Sequence, residues 1–154
     1  MKEIYSVDGT VNRGFVGQIT YMVCLEKSYE KLDIHFRFDE DKRTYAPEDI
    51  TEQLMSDTRE LILRDYGISY SDEELRQSIL TRMKTEIHTL ATLNEEFIGC
   101  VHKQLVDRHM IYDGDYASDG CIPQSKIEGV LKVTVLVFNV LKDNTRYTLT
   151  VSAE

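Results

Sequence analysis

The sequence predicts a single α+β domain in the order βββ-ααα-ββ. Three N-terminal strands and a C-terminal hairpin form an antiparallel sheet, and about three central helices pack against it. Three observations predict it. Leu32, Ile34, Phe36 and Phe38 alternate with Asp33, His35 and Arg37, the period of a strand with one face buried. Ser71-Asp72-Glu73-Glu74 forms a capping box ahead of apolar residues at helical spacing. A Val-rich segment, Val130 to Leu141, reads as a long strand. With 154 residues, 42% of them hydrophobic, and only 2 Pro and 8 Gly, the chain 1–154 has the material for one domain with a true core.

The strands of the first block span about 3–38. Residues Glu3 to Val11 suit a strand, and Asn12-Arg13-Gly14 is a short turn in which glycine supplies a positive φ. Ile19, Tyr21, Val23 and Leu25 share one face of a second strand, and a hairpin leads from it to the third. The first forty residues therefore read as a three-stranded meander.

Helices are expected over about 47–109. Pro47 suits a first helical position, and Glu48 and Asp49 follow where the helix dipole favours negative charge. Ile50, Leu54, Thr58, Leu61 and Ile62 make the apolar stripe, and Gly67 ends it. Ser71 starts the second helix, with Leu75, Ile79, Leu80, Met83, Ile87, Leu90 and Ala91 inward. A rod continuing to Met110 would be about 60 Å long, so a break is expected near Thr92 to Asn94. Asn94 then caps a third helix with Phe97, Ile98, Val101, Leu105 and Val106 inward.

Residues 111–125 read as a loop rich in Asp and Gly, followed by strands over about 127–152 joined by a turn at Asp143-Asn144-Thr145. Val133, Val135 and Val137 occupy one face of the long strand and Leu136, Phe138 and Val140 the other. Its middle therefore needs cover on both faces, from a helix or from another copy of the chain.

Eighteen basic against 27 acidic residues give a net charge of -9. That balance opposes direct binding to nucleic acid or to anionic membranes. The densest basic spots, Lys42-Arg43 and Lys103 with Arg108, lie among carboxylates. The N-terminus carries no apolar secretory run, and no segment approaches the roughly 18 apolar residues of a membrane span. Three widely spaced cysteines, Cys24, Cys100 and Cys121, fit free thiols in a reducing compartment, so a cytoplasmic location is expected.

No phosphate-binding GxxxxGK[ST] loop, GxGxxG turn, GxSxG elbow or CxxC pair is present. The remaining candidates are individual residues. His88, Glu95, His102 and His109 recur every seven residues, but seven helical residues rise about 10.5 Å, too far for one metal ion. Asp113, Asp115 and Asp119 begin like a calcium loop, yet Ala117, Ser118 and Gln124 occupy later ligand positions, so turn chemistry explains them better. Cys121 is a loop thiol with His109 as its nearest histidine along the chain, a weak nucleophile candidate. Asp33, His35 and Arg37 form a polar strand face. No cofactor is implied.

The preferred expectation is a non-enzymatic cytoplasmic domain that binds a protein partner or itself. A small metal- or thiol-dependent enzyme using His102, His109 and the Asp113 to Cys121 region is the first alternative. An acidic inhibitor that mimics nucleic acid, of phage or mobile-element type, is the second.

Overall fold

Alternation becomes burial where it is clearest: Leu32, Ile34, Phe36 and Phe38 all point into the core, while Asp33, His35 and Arg37 face outward. The computed structural model describes residues 1–102 and 105–154, so Lys103 of the expected basic spot lies outside the described residues. The elements are β1 (Lys2–Val11), β2 (Gly17–Tyr29), β3 (Lys31–Phe38), α1 (Glu52–Tyr66), α2 (Asp72–Arg82), β4 (Glu86–Leu93), β5 (Glu96–Val101), β6 (Asp107–Asp113), β7 (Tyr116–Ala117), β8 (Ile127–Asn139) and β9 (Thr145–Ala153). Short 3-10 turns occupy Glu40–Lys42 and Pro47–Asp49.

The fold is not βββ-ααα-ββ. Strands hold 51% of the chain against 21% for helices, and they form two antiparallel sheets in the orders β1-β9-β3-β6-β7 and β2-β8-β4-β5. Both pairings between chain neighbours fail. β2 joins the second sheet while β1 and β3 flank β9, and β8 and β9 lie in different sheets, so neither the N-terminal meander nor the C-terminal hairpin forms. An alternating pattern fixes which face of a strand is buried, but it does not name the partner.

The third helix is replaced by strands, and the second stops at Arg82. Residues 86–93 fit a helical stripe through Ile87, Leu90 and Ala91, but equally a strand face of Ile87, Thr89, Ala91 and Leu93, and the latter four are the buried ones. β-branched Thr85, Ile87, Thr89 and Thr92 favour the strand, where their χ1 restriction costs nothing. Asn94 is therefore not a helix cap. With Glu95 it makes the two-residue turn between β4 and β5, both at positive φ (52° and 70°), as a primed hairpin turn requires. The expected loop starts late, because residues 111–113 complete β6.

The inner faces of the sheets share one core that includes Leu32, Ile34, Phe36, Met110 and Leu149 from the first and Ile87, Leu131, Val133 and Val135 from the second. Each such side chain contributes roughly 1.5–3 kcal/mol by leaving water. Hydrogen bonds cross between the sheets as well: the Tyr21 and Tyr147 hydroxyls meet at 2.6 Å, and Tyr112 Oη donates to the Ile98 carbonyl at 3.3 Å. Arg108 enters from β6 and lies 4.7 Å from the Phe36 ring centre. Burial pulls its pKa down.

The helices are capped as their sequence dictates. Thr51 Oγ1 accepts the Leu54 N–H at 3.1 Å, Gly67 ends α1 at φ 66°, and the Ser71–Glu74 box is closed in both directions. Pro47 opens the 3-10 turn, and α1 starts after it. Leu54, Leu75 and Ile79 pack with Tyr45 and Leu141 in a second, smaller core. The helical unit thus sits beside the ends of β4 and β8, where buried Thr85 ties it to the Lys42 carbonyl and the Leu141 N–H. Among the described residues, no helix is long and apolar enough to cross a membrane.

Candidate functional site

Because the helices occupy an end of the sandwich, the outer faces of both sheets remain open. They differ in chemistry.

The outer face of the five-stranded sheet is polar. β3 presents Lys31, Asp33, His35 and Arg37, and β6 presents Asp107, His109, Ile111 and Asp113. Antiparallel pairing sets His35 directly opposite His109. Their rings stack at 4.0 Å between centres with only 4° between planes. Each histidine reaches the carboxylate two positions before the other on the facing strand. His35 Nε2 lies 2.8 Å from Asp107 Oδ1, and His109 Nδ1 lies 2.9 and 3.0 Å from the two oxygens of Asp33. Two strands thus build a local two-fold His–Asp cluster. The ligand atoms of His35, Asp107 and His109 all lie within 4.8 Å of one another. Asp33 is mostly covered, whereas the rest of the cluster is reachable from solvent.

The outer face of the four-stranded sheet mixes apolar side chains with mostly uncharged polar ones. Cross-strand rows run Met22–Lys132–Thr92, Thr20–Thr134–Leu90 and Gln18–Leu136–His88. Phe138, at 52% exposed, packs its ring 4.5 Å from His88, while Met22 is 64% and Phe97 50% exposed. Lys132 forms an ion pair with Glu95 there, and His88 Nε2 lies in hydrogen-bond distance of Glu86 Oε1 at 2.9 Å.

The residues singled out in the sequence are dispersed. His102 faces His88 on the four-stranded sheet, with ring centres 6.0 Å apart, whereas His109 lies on the other sheet. Cys121 lies opposite Gly99 at the edge of β5, half-buried, and accepts a 3.6 Å hydrogen bond from Ser118 Oγ. Cys121 packs against the core with Tyr112, while His109 faces outward to Asp33, so the two do not form a dyad. Asp113 pairs with Lys31 at 3.1 Å. Asp115 sits in the β6–β7 turn and Asp119 in the loop before Cys121. The His35–His109 cluster is hidden in the sequence because 72 or more residues separate its halves, and because the pattern up to residue 109 suits a helix as well as a strand. The signal along the chain is the Asp-x-His spacing, which occurs both at Asp33-Ile34-His35 and at Asp107-Arg108-His109.

No curated protein and no solved structure is similar to the chain. Residues 1–154 match a family of unknown function, DUF6669, across their whole extent, and the chain belongs to that family.

Proposed function

We propose that this domain is a non-enzymatic protein-binding module that associates with a second copy of itself through the outer face of the four-stranded sheet. The observation that carries the reading is the exposed apolar set Met22, Phe97 and Phe138 around half-buried Leu90 and Leu136. Of the two covers expected for the second face of β8, the intramolecular one is not supplied by α1 or α2, which pack around Leu141 instead. Charge argues for a second copy. The chain carries -9 overall, so two copies repel over most orientations, but on this face Glu95 is paired with Lys132 and the Glu86 carboxylate is engaged by His88. Four strands of about eight residues project on the order of 500 Å², the scale of a standard interface that buries about 800 Å² of accessible surface per partner. Free Cys24, Cys100 and Cys121 fit this module to the reducing cytoplasm.

Native mass spectrometry of untagged protein tests the reading. A dimer that Phe138→Glu converts to monomer is the expected result. A strict monomer at high micromolar concentration, or a dimer indifferent to Phe138→Glu, overturns it.

A further inference from the structure

The geometry points to a divalent transition-metal site on the opposite side of the molecule, with His35, His109 and Asp107 as ligands and Asp33 holding His109 in place. The site is independent of self-association.

Asp33 carries the orientation. An ionised carboxylate only accepts, so the bonds at 2.9 and 3.0 Å place the proton of His109 on Nδ1 and leave the Nε2 lone pair free. A carboxylate behind the second ring nitrogen is the usual support of a metal-ligating histidine. The free Nε2 lies 3.9 Å from Asp107 Oδ1, which in turn accepts from His35 Nε2 at 2.8 Å, so an ion bound there displaces the His35 Nε2 proton. Ligands bound at about 2.0–2.2 Å to one tetrahedral ion are roughly 3.3 Å apart, between those two separations. Because the two rings are stacked in parallel and each lone pair lies in its ring plane, loading the ion takes a tilt of the imidazoles out of the stack, with the strands left in place.

The scaffold is stiff, since all four residues lie on the paired strands β3 and β6. Arg37 stands directly opposite Asp107 in the register yet forms no ion pair with it among the described residues. The Asp107 carboxylate turns to the histidine instead. Two imidazoles and one carboxylate select a borderline first-row ion such as Zn²⁺, Co²⁺ or Ni²⁺ over Ca²⁺ or Mg²⁺, which take oxygen ligands. Three protein ligands leave at least one position for water.

The test titrates chelator-treated, full-length protein with Zn²⁺ by calorimetry and with Co²⁺ by visible absorption. One ion per chain is expected, with ligand-field bands from Co²⁺. His35→Ala and His109→Ala each weaken binding by ten-fold or more, and Asp33→Asn, which keeps all three ligands, weakens it by about 10–100-fold. His88→Ala, in the other histidine pair, leaves the titration unchanged, and melting curves of the metal-free variants report whether each is folded. A wild-type chain that takes up neither ion overturns the assignment, as does unchanged binding in folded His35→Ala and His109→Ala, or a loss that follows His88.

Discussion

The Asn94 carboxamide fills the space that a Cβ on residue 129 would need. Gly129, at φ 94°, lets Asn94 Oδ1 accept the Val130 N–H and Asn94 Nδ2 donate to the Glu128 carbonyl, both at 2.9 Å. The β4–β5 turn is thereby stitched to the start of β8. A methyl group on Gly129 would lie 2.0 Å from Asn94 Oδ1.

Gly129→Ala should therefore cost more than Asn94→Gly. The left-handed backbone costs roughly 1–2 kcal/mol for a residue with a Cβ, and two hydrogen bonds at about 1 kcal/mol each are displaced with it. Asn94→Gly keeps the positive φ of the turn without strain and loses only the bonds. Urea unfolding should rank the pair in that order, and equal midpoints would show that the carboxamide moves aside freely.

Gly9 serves the Tyr147 ring in a comparable way. A Cβ there would lie 2.2 Å from Tyr147 Cζ, so Gly9→Ala must push the ring away from the Tyr21 hydroxyl and should cost about 2–4 kcal/mol. Tyr147→Phe removes only the hydrogen bond and should cost about 1 kcal/mol. Thermal melts of the two variants check the difference.

Alkaline pH should reach the same region. Burial, reinforced by the Tyr21 hydroxyl, pushes the Tyr147 pKa above the tyrosine range; burial also raises Tyr112 and Tyr45. These groups favour the neutral form when folded. Their contribution is complete below about pH 10, the unfolded tyrosine value, and falls as pH rises above it, since the unfolded chain then releases protons that the folded one keeps. Ultraviolet titration of the nine tyrosines should show a late fraction that ionises together with unfolding. Full ionisation of a still-folded chain near pH 10 would contradict it.

Acid should loosen the helical unit first. Lys142 Nζ lies 2.7 Å from Asp49 Oδ2 and donates to the Asp41 carbonyl at 2.9 Å. The hydrogen bond from Lys142, and then the Ala46 N–H, hold the Asp49 carboxyl below its usual pKa. A depressed folded value stabilises above the unfolded pKa near 3.9, and that contribution is lost as pH falls through the folded value. Asp49→Asn should cost less than about 1 kcal/mol at neutral pH and flatten the acid limb. Amide exchange over residues 47–66 checks it; an unchanged acid limb would remove the link.

Salt distinguishes the apolar contact from a charged one. Association through Phe138 and Met22 should strengthen or hold as ionic strength rises, because screening relieves the repulsion between two chains of -9. Analytical ultracentrifugation across a salt series reads this directly. Dissociation by moderate salt would instead assign the contact to ion pairs.

Local chemistry was legible along the chain. The Ser71–Glu74 box, the Gly67 stop and the one-sided burial of β3 follow from side chains within a few residues of one another, so the sequence contains the whole cause. The stretch 86–93 was not legible in this way. Its apolar residues satisfy both periods, and the decision fell to β8, whose paired positions lie 38 to 53 residues further along the chain, and to the core that buries the Thr89 face.

The same division separates the candidate sites from their residues. The order of residues along the chain puts Asp33 and His35 on the wet face of β3, sets Leu136 and Phe138 against Val135 and Val137 on opposite faces of β8, and makes the chain strongly acidic. That His109 stands opposite His35, and that among the described residues no helix covers Leu136 and Phe138, comes from strand pairing and packing. Alternation gives a strand its buried side through local geometry, whereas its neighbour is chosen by long-range pairing energies summed over the whole sheet, which no short segment encodes.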